Sequence, residues 1–281
     1  MKFPLPTNTT TTFMRTIIAP VDFSDASINA LSFSAELAKR ASARLIITNI
    51  LKQGEPDGDS KEKLKSIESN LKRSFSEELK SEIIVTHGDL VSSMKELIAI
   101  HQPQLIVMGT KGASGLKKIL IGSNTVNLLA KITVPVLVVP EVARFENFLL
   151  KEKNRIVLAT DLETLENTDA LEILKKIALL IVEPKLRVLN VRPKNTQVDF
   201  LRKMERNAIL SVFSPEIESE RTTVFSSNVI RGINFYLNIH SDTGLLAMIA
   251  RDSGQLIQKH YTREMASHTH LPLLVMHDAK F

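Results

Sequence analysis

The sequence predicts an α/β fold: two tandem open parallel sheets of five strands each, with helices on both faces. Three observations predict it. Short, nearly continuous apolar runs alternate with longer stretches of helical periodicity, as a parallel sheet buried on both faces requires. The alternation occurs twice at a nearly constant offset. A glycine-rich loop follows one apolar run, where open sheets of this kind place their ligands, beyond the carboxyl ends of the strands.

The elements of the first copy follow in order. "TIIAPV" predicts a strand over 16–21, ending before Asp22. Ser24 or Asp25 suits the cap of a helix over 25–41. A strand over 44–51 comes next, then a helix over 60–80, a strand over 82–87 and a helix over 89–101. Pro103 stops that helix, because the residue before a proline avoids the helical region. A strand over 104–109, a helix over 123–131 capped by Ser123, and a strand over 135–140 complete the copy.

The second copy is read by matching. "TIIAPVD" (16–22) pairs with "RIVLATD" (155–161), 139 residues on. Each precedes a helical pattern, the second being "ETLENTDALEILKKIALL" (163–180). Asn49 in "ARLIITNIL" pairs with Asn190 in "KLRVLNVRP", and Pro135 with Pro272. The predicted organisation is a disordered leader over 1–13, a domain over 14–141, a linker over 142–153 and a second domain over 154–281. The leader, "MKFPLPTNTTTTF", lacks a signal-peptide core, and Met14 is an alternative start.

Composition excludes several classes. Hydrophobic residues make up 43% and charged residues 24%, an ordinary globular balance. No apolar run reaches the ~20 residues of a spanning helix, so no membrane partner is expected. The absence of cysteine removes thiol chemistry and disulfides and fits a cytoplasmic location. A net charge of +5 spread along the chain, with no Trp and two Tyr, argues against a nucleic-acid reader.

The loop "VMGTKGASGLKKILIGSN" (107–124) holds four of the chain's ten glycines: Gly109, Gly112, Gly115 and Gly122. Glycine admits positive φ and lets a ligand approach the backbone. Successive amides can form an anion nest, and Gly122 and Ser123 open a helix whose free amides favour phosphate. The loop is neither a Walker A motif nor a G-x-G-x-x-G fingerprint.

Its Gly-x2-Gly-x9-Gly-Ser spacing resembles the signature of the universal stress protein family. The similarity extends to "IIAPVDFSDAS" and "VPVLVV" and covers residues 15–140. The resemblance implies an adenine nucleotide alpha-hydrolase-like fold that holds ATP, or ADP or AMP, with Mg²⁺ accompanying it. It implies ribose contact by Asp22, adenine contact by Ile50 and Met108, and phosphate contact by Gly109, Gly112, Gly122, Ser123 and Asn124. Plainer roles exist for each: Asp22 as a brace of the turn, Ile50 and Met108 as core, Gly115 as a hinge, Lys111, Lys117 and Lys118 as a solvated face.

The second copy departs from this pattern. "MIARDSGQLIQKHYTREM" (248–265) is about four residues shorter, Ala250 stands where Gly109 does, and only Gly254 remains. One nucleotide site per chain is therefore expected. His268 and His270 lack further ligands for a metal site. The family resemblance implies that the apolar last strands, "VPVLVVP" and "LPLLVMH", pair as a pseudo-dimer, and a homodimer of two-domain chains is expected beyond it. The functional expectation is a stress-response module with an adenine nucleotide and an unidentified protein partner. No H-x-G-H or S-G-G-x-D-S element points to dedicated catalysis. The alternatives are slow ATP hydrolysis and a nucleotide-independent scaffold.

Overall fold

The structure is a computed structural model that describes residues 14–75, 79–110, 123–149, 153–166, 168–194, 196, 200–250 and 271–278. The chain divides into two compact units, Met1–Phe145 and Glu146–Phe281. Among the described residues, no helix is long and apolar enough to cross a membrane.

Unit 1 runs β1 (Thr16–Pro20), α1 (Asp25–Ala41), β2 (Arg44–Leu51), α2 (Gly58–Ser74), β3 (Ser81–His87), α3 (Leu90–His101), β4 (Leu105–Gly109), α4 (Ser123–Leu129) and β5 (Val136–Val139). Its strands lie in the order β3-β2-β1-β4-β5, and every pairing among them is parallel. The order reverses between β1 and β4, which makes their carboxyl ends the switch point. The central strands are mainly apolar because both faces are covered: Ile17, Ile18, Leu45, Ile46, Ile47, Leu105, Ile106 and Val107 are fully buried.

α1 shows why the switch point is tight. Ala26, Ala30, Leu31, Phe33, Leu37, Ala38 and Ala41 form its buried face, and the alanines bring its backbone close to the sheet. Ser24 caps it, accepting from the Ser27 amide. Its end is turned by Ser42 at φ 53°, with the Ser42 and Ala43 amides returning to Lys39 O and Ala38 O. Past β5 the chain folds back onto α1. Asn29 Nδ2 donates to Pro140 O and Ala143 O, and the Phe145 ring meets Phe33 edge-on at 5.4 Å.

Of the boundaries that differ from expectation, three are instructive. α2 stops at Ser74, not at residue 80, where the Phe75 amide closes on Leu71 O. Leu79 falls in the helical period, but it is buried at the entry to β3, and Lys80 O already accepts from Leu45 N. Ser123 is the first residue of α4, not the one before it, a difference of one position. In unit 2 the helix expected from 163 begins at Asp169.

Unit 2 runs β6 (Arg155–Ala159), α5 (Asp169–Ala178), β7 (Lys185–Arg192), α6 (Phe200–Phe213), β8 (Glu218–Phe225), α7 (Val229–Ile239), β9 (Thr243–Ala250) and β10 (Leu273–His277). Its order, β8-β7-β6-β9-β10, is that of unit 1, again all parallel. The repeat reaches the backbone. Phe23 and Leu162, each following the matched aspartate, both take positive φ, at 64° and 61°. For non-glycine residues this conformation is uncommon and costs energy.

Candidate functional site

A cavity of about 400 Å³ opens at the carboxyl ends of β1, β2 and β4. Its wall brings together Asp22, Ile50, Met108 and Gly109, four of the residues singled out in the sequence. Gly112 and Gly122 lie outside the described residues. Ser123 and Asn124 open α4, which adds Thr125 to the wall.

The tip of β1 is built by a short hydrogen-bond network. Asp22 Oδ1 accepts from the Ser24 amide at 3.0 Å and the Ser24 hydroxyl at 2.6 Å. The Asp22 amide donates to Ser27 Oγ, whose hydroxyl in turn donates to Ser24 O. Partial burial pushes the Asp22 carboxyl up, but the hydrogen bonds from Ser24 and Ser27 outweigh it and hold it below the usual carboxylate range. Asp22 therefore carries its charge at neutral pH and is solvent-exposed at the cavity wall. Bracing the turn and facing a ligand are compatible for this side chain.

Asn49 fixes the same tip from below. It is 6% exposed, a buried amide in a mainly apolar strand. Its Nδ2 donates to Val21 O at 2.6 Å and its Oδ1 accepts from Ser60 Oγ at 2.7 Å. One side chain thus ties β1, β2 and α2 together. Asn190 repeats the contact in unit 2, donating to Thr160 O at 2.9 Å.

The β3 side of the cavity is formed by Gly88, Asp89 and Leu90, which the sequence reading did not assign to the site. Gly88 takes φ 130°, a turn that glycine makes without strain. Asp89 caps α3, accepting from the Val91 and Ser92 amides. Its hydrogen bonds with Ser92 hold its carboxyl below the usual range. A glycine followed by a capping aspartate at a strand end was the available signal. At the rim, His87 Nε2 lies 2.8 Å from Glu55 O and 3.1 Å from Asp57 Oδ1, pinning the β2–α2 connection.

Gly109 has a packing reason of its own. A β-carbon there would overlap the Ala26 carbonyl oxygen, 2.5 Å from its carbon and 2.9 Å from the Ser27 nitrogen. The first turn of α1 sits directly on the end of β4, so the glycine is required whether or not a ligand is bound.

Unit 2 treats the matched positions differently. Asp161 Oδ1 accepts from the Glu163 amide, the same turn as at Asp22. Leu162 is then buried at 2% exposure, whereas Phe23 is only half-buried. Residues 161–166 are not helical, and the Glu166 amide donates to Asp278 Oδ1 at 2.8 Å. Ala250 carries the β-carbon that Gly109 lacks. Residues 251–270, with Gly254, Lys259, His260, His268 and His270, lie outside the described residues. Among the described residues, no group of three or more His, Cys, Asp or Glu side chains is arranged to hold a metal ion.

The profile of the universal stress protein family matches residues 14–140. No curated protein matches the chain. Among solved structures, a universal stress protein from Archaeoglobus fulgidus DSM 4304 superposes with a TM-score of 0.71 at 19% identity, covering 94% of this chain and 98% of that one. A functionally unknown protein from Pseudomonas aeruginosa PAO1 superposes with a TM-score of 0.64 at 14% identity, covering 94% and 92%. At these identities the structural likeness establishes the fold.

Proposed function

We propose, from the match of the universal stress protein family profile to residues 14–140, that unit 1 binds an adenine nucleotide and acts as a stress-response regulatory module. The observation that carries this reading is the cavity at the switch point. Its volume of about 400 Å³ falls in the range of small-molecule sites. Its wall combines apolar side chains, Ile50, Leu90 and Met108, with charged and hydroxyl groups.

The roles follow from the chemistry. Ile50 and Met108 offer apolar surface to adenine. The Asp22 carboxylate accepts hydrogen bonds, and ribose hydroxyls donate them. Gly109, Gly112, Gly122, Ser123 and Asn124 supply the amides and hydroxyl for phosphate. Hydrogen bonds to a charged partner contribute about 1.5–3 kcal/mol each. Three or four of them support micromolar affinity after the cost of ordering the ligand. ATP with Mg²⁺ is the first ligand to test, with ADP and AMP beside it. Unit 2 lacks the glycine pattern, so one site per chain is proposed. The proposed setting is the cytoplasm, with the two domains as a pseudo-dimer, a homodimer of chains, and an unidentified protein partner reading the bound state.

Calorimetric titration of ATP with Mg²⁺ into the wild type and a folded Gly122→Val variant tests the reading. One equivalent bound by the wild type and none by the variant supports it. A second reading, a nucleotide-independent interaction scaffold, is favoured by the packing role of Gly109. It gains if the wild type does not bind.

A further inference from the structure

Two threonine hydroxyls in unit 1 are buried with no hydrogen-bond partner among the described residues: Thr48 Oγ1 and Thr110 Oγ1. Both residues are 0% exposed. Burying a hydroxyl without a partner is unfavourable, so each calls for an explanation. Their surroundings differ. Thr48 lies within β2 and is not part of the cavity wall. Thr110 follows the last residue of β4 and forms part of that wall. Its amide continues the ladder by donating to Val139 O at 3.1 Å, so its backbone is fixed and only the hydroxyl is left over.

The wall also has a polarity. Its carboxylates are Asp89, on the β3 side beside Gly88 and Leu90, and Asp22, at the tip of β1; both are held in their charged form. Gly109, Thr110 and Thr125, on the β4 side, bring hydroxyls and backbone and no carboxylate. Among these groups, an anion finds donors only at the hydroxyls and backbone and is repelled by the two carboxylates. Thr125 Oγ1 already has a long contact, 3.5 Å, to Gly109 O. Thr110 is the donor without one.

We propose that the Thr110 hydroxyl donates to a phosphoryl oxygen of the nucleotide, a contact that the glycine signature does not include. The inference rests on the nucleotide reading of this cavity. It gives the orphaned hydroxyl its partner: unsatisfied in the free protein, charge-assisted in the complex.

The test is Thr110→Val, which keeps the β-branched shape and removes the hydroxyl, with Thr48→Val as the comparison. Unfolding of the free proteins and titration with ATP–Mg²⁺ and with adenosine are measured for each. Both variants are expected to melt at or above the wild-type temperature, since each loses an unsatisfied buried group. Thr110→Val is expected to bind ATP about tenfold more weakly and adenosine as the wild type does, while Thr48→Val leaves both affinities unchanged. A Thr110→Val protein that binds ATP with wild-type affinity overturns the proposal. So does an equal loss for ATP and adenosine, which places the contact on the nucleoside. A destabilised free Thr110→Val protein shows that the hydroxyl has a protein partner and overturns it as well. A wild type that binds neither ligand removes the nucleotide reading itself, a result distinct from the other three.

Discussion

Replacing Asn49 by aspartate tests the architecture of the β1 tip with a single atom. The variant keeps the acceptor for Ser60 Oγ but turns the donor facing Val21 O, at 2.6 Å, into an oxygen. When the new carboxyl is protonated it donates to Val21 O, and the cost is that of a perturbed hydrogen bond, about 1 kcal/mol. When it ionises, a charge is placed at a site 6% exposed and against a carbonyl oxygen. Burial and that carbonyl both raise its pKa in the folded state, by about 2 units for a group that retains one hydrogen bond. Each unit corresponds to about 1.4 kcal/mol. The sign follows from linkage: the extra loss is absent below the unfolded carboxyl value near 4, grows as pH rises to about 6, and is constant above. Urea unfolding should therefore place the variant about 1 kcal/mol below wild type at pH 4 and roughly 3–4 kcal/mol below it at pH 7.5. A deficit that does not change with pH, or a variant as stable as wild type at pH 7.5, would refute the reasoning. Asn190→Asp, facing Thr160 O, should show the same sign in unit 2.

Two further predictions concern the cavity wall. Gly109→Ala forces the first turn of α1 off the end of β4, and overpacking of this kind costs about 1–3 kcal/mol. Thermal unfolding checks this, and an unchanged midpoint would mean that the close approach is not present. Asp22→Asn removes a carboxylate whose pKa is depressed in the folded state. Its contribution is present above the unfolded value and lost as pH falls through the folded one, so wild type and variant should converge in stability under acid conditions. The same variant should weaken ATP binding several-fold at neutral pH; equal affinities would assign Asp22 to bracing alone.

Much of the fold was legible because buried parallel strands write themselves as apolar runs. "TIIAP", "RLIITNIL" and "LIVMG" leave little else to be. The doubling was legible from the aspartates and asparagines at matched offsets, and the structure shows their reason, since Asn49 and Asn190 make the same bond to the residue before the aspartate. The end of α2 was not legible, because Leu79 satisfies a helical period while serving the approach to β3. The start of α5 was hidden for a different reason. Which of several polar residues begins a helix depends on the neighbour it meets, and Asp278, 112 positions away, is the one that holds Glu166. The cavity wall was half legible. Asp22, Ile50, Met108 and Gly109 lie in or beside recognisable runs and Thr110 and Thr125 adjoin the glycine loop, whereas Gly88 and Asp89, a turn and cap by sequence, are brought to the site by sheet order.

The late start of α5 sets the two units apart electrically. α1 begins three residues after Asp22, and α5 begins eight after Asp161. The partial positive charge at a helix start acts mainly within its first turn. In unit 1 it lies against the strand ends. In unit 2 five more residues of chain separate the matched aspartate from the helix start. A phosphate-sized anion offered both units would favour the first from the backbone alone, with every side chain left out of account.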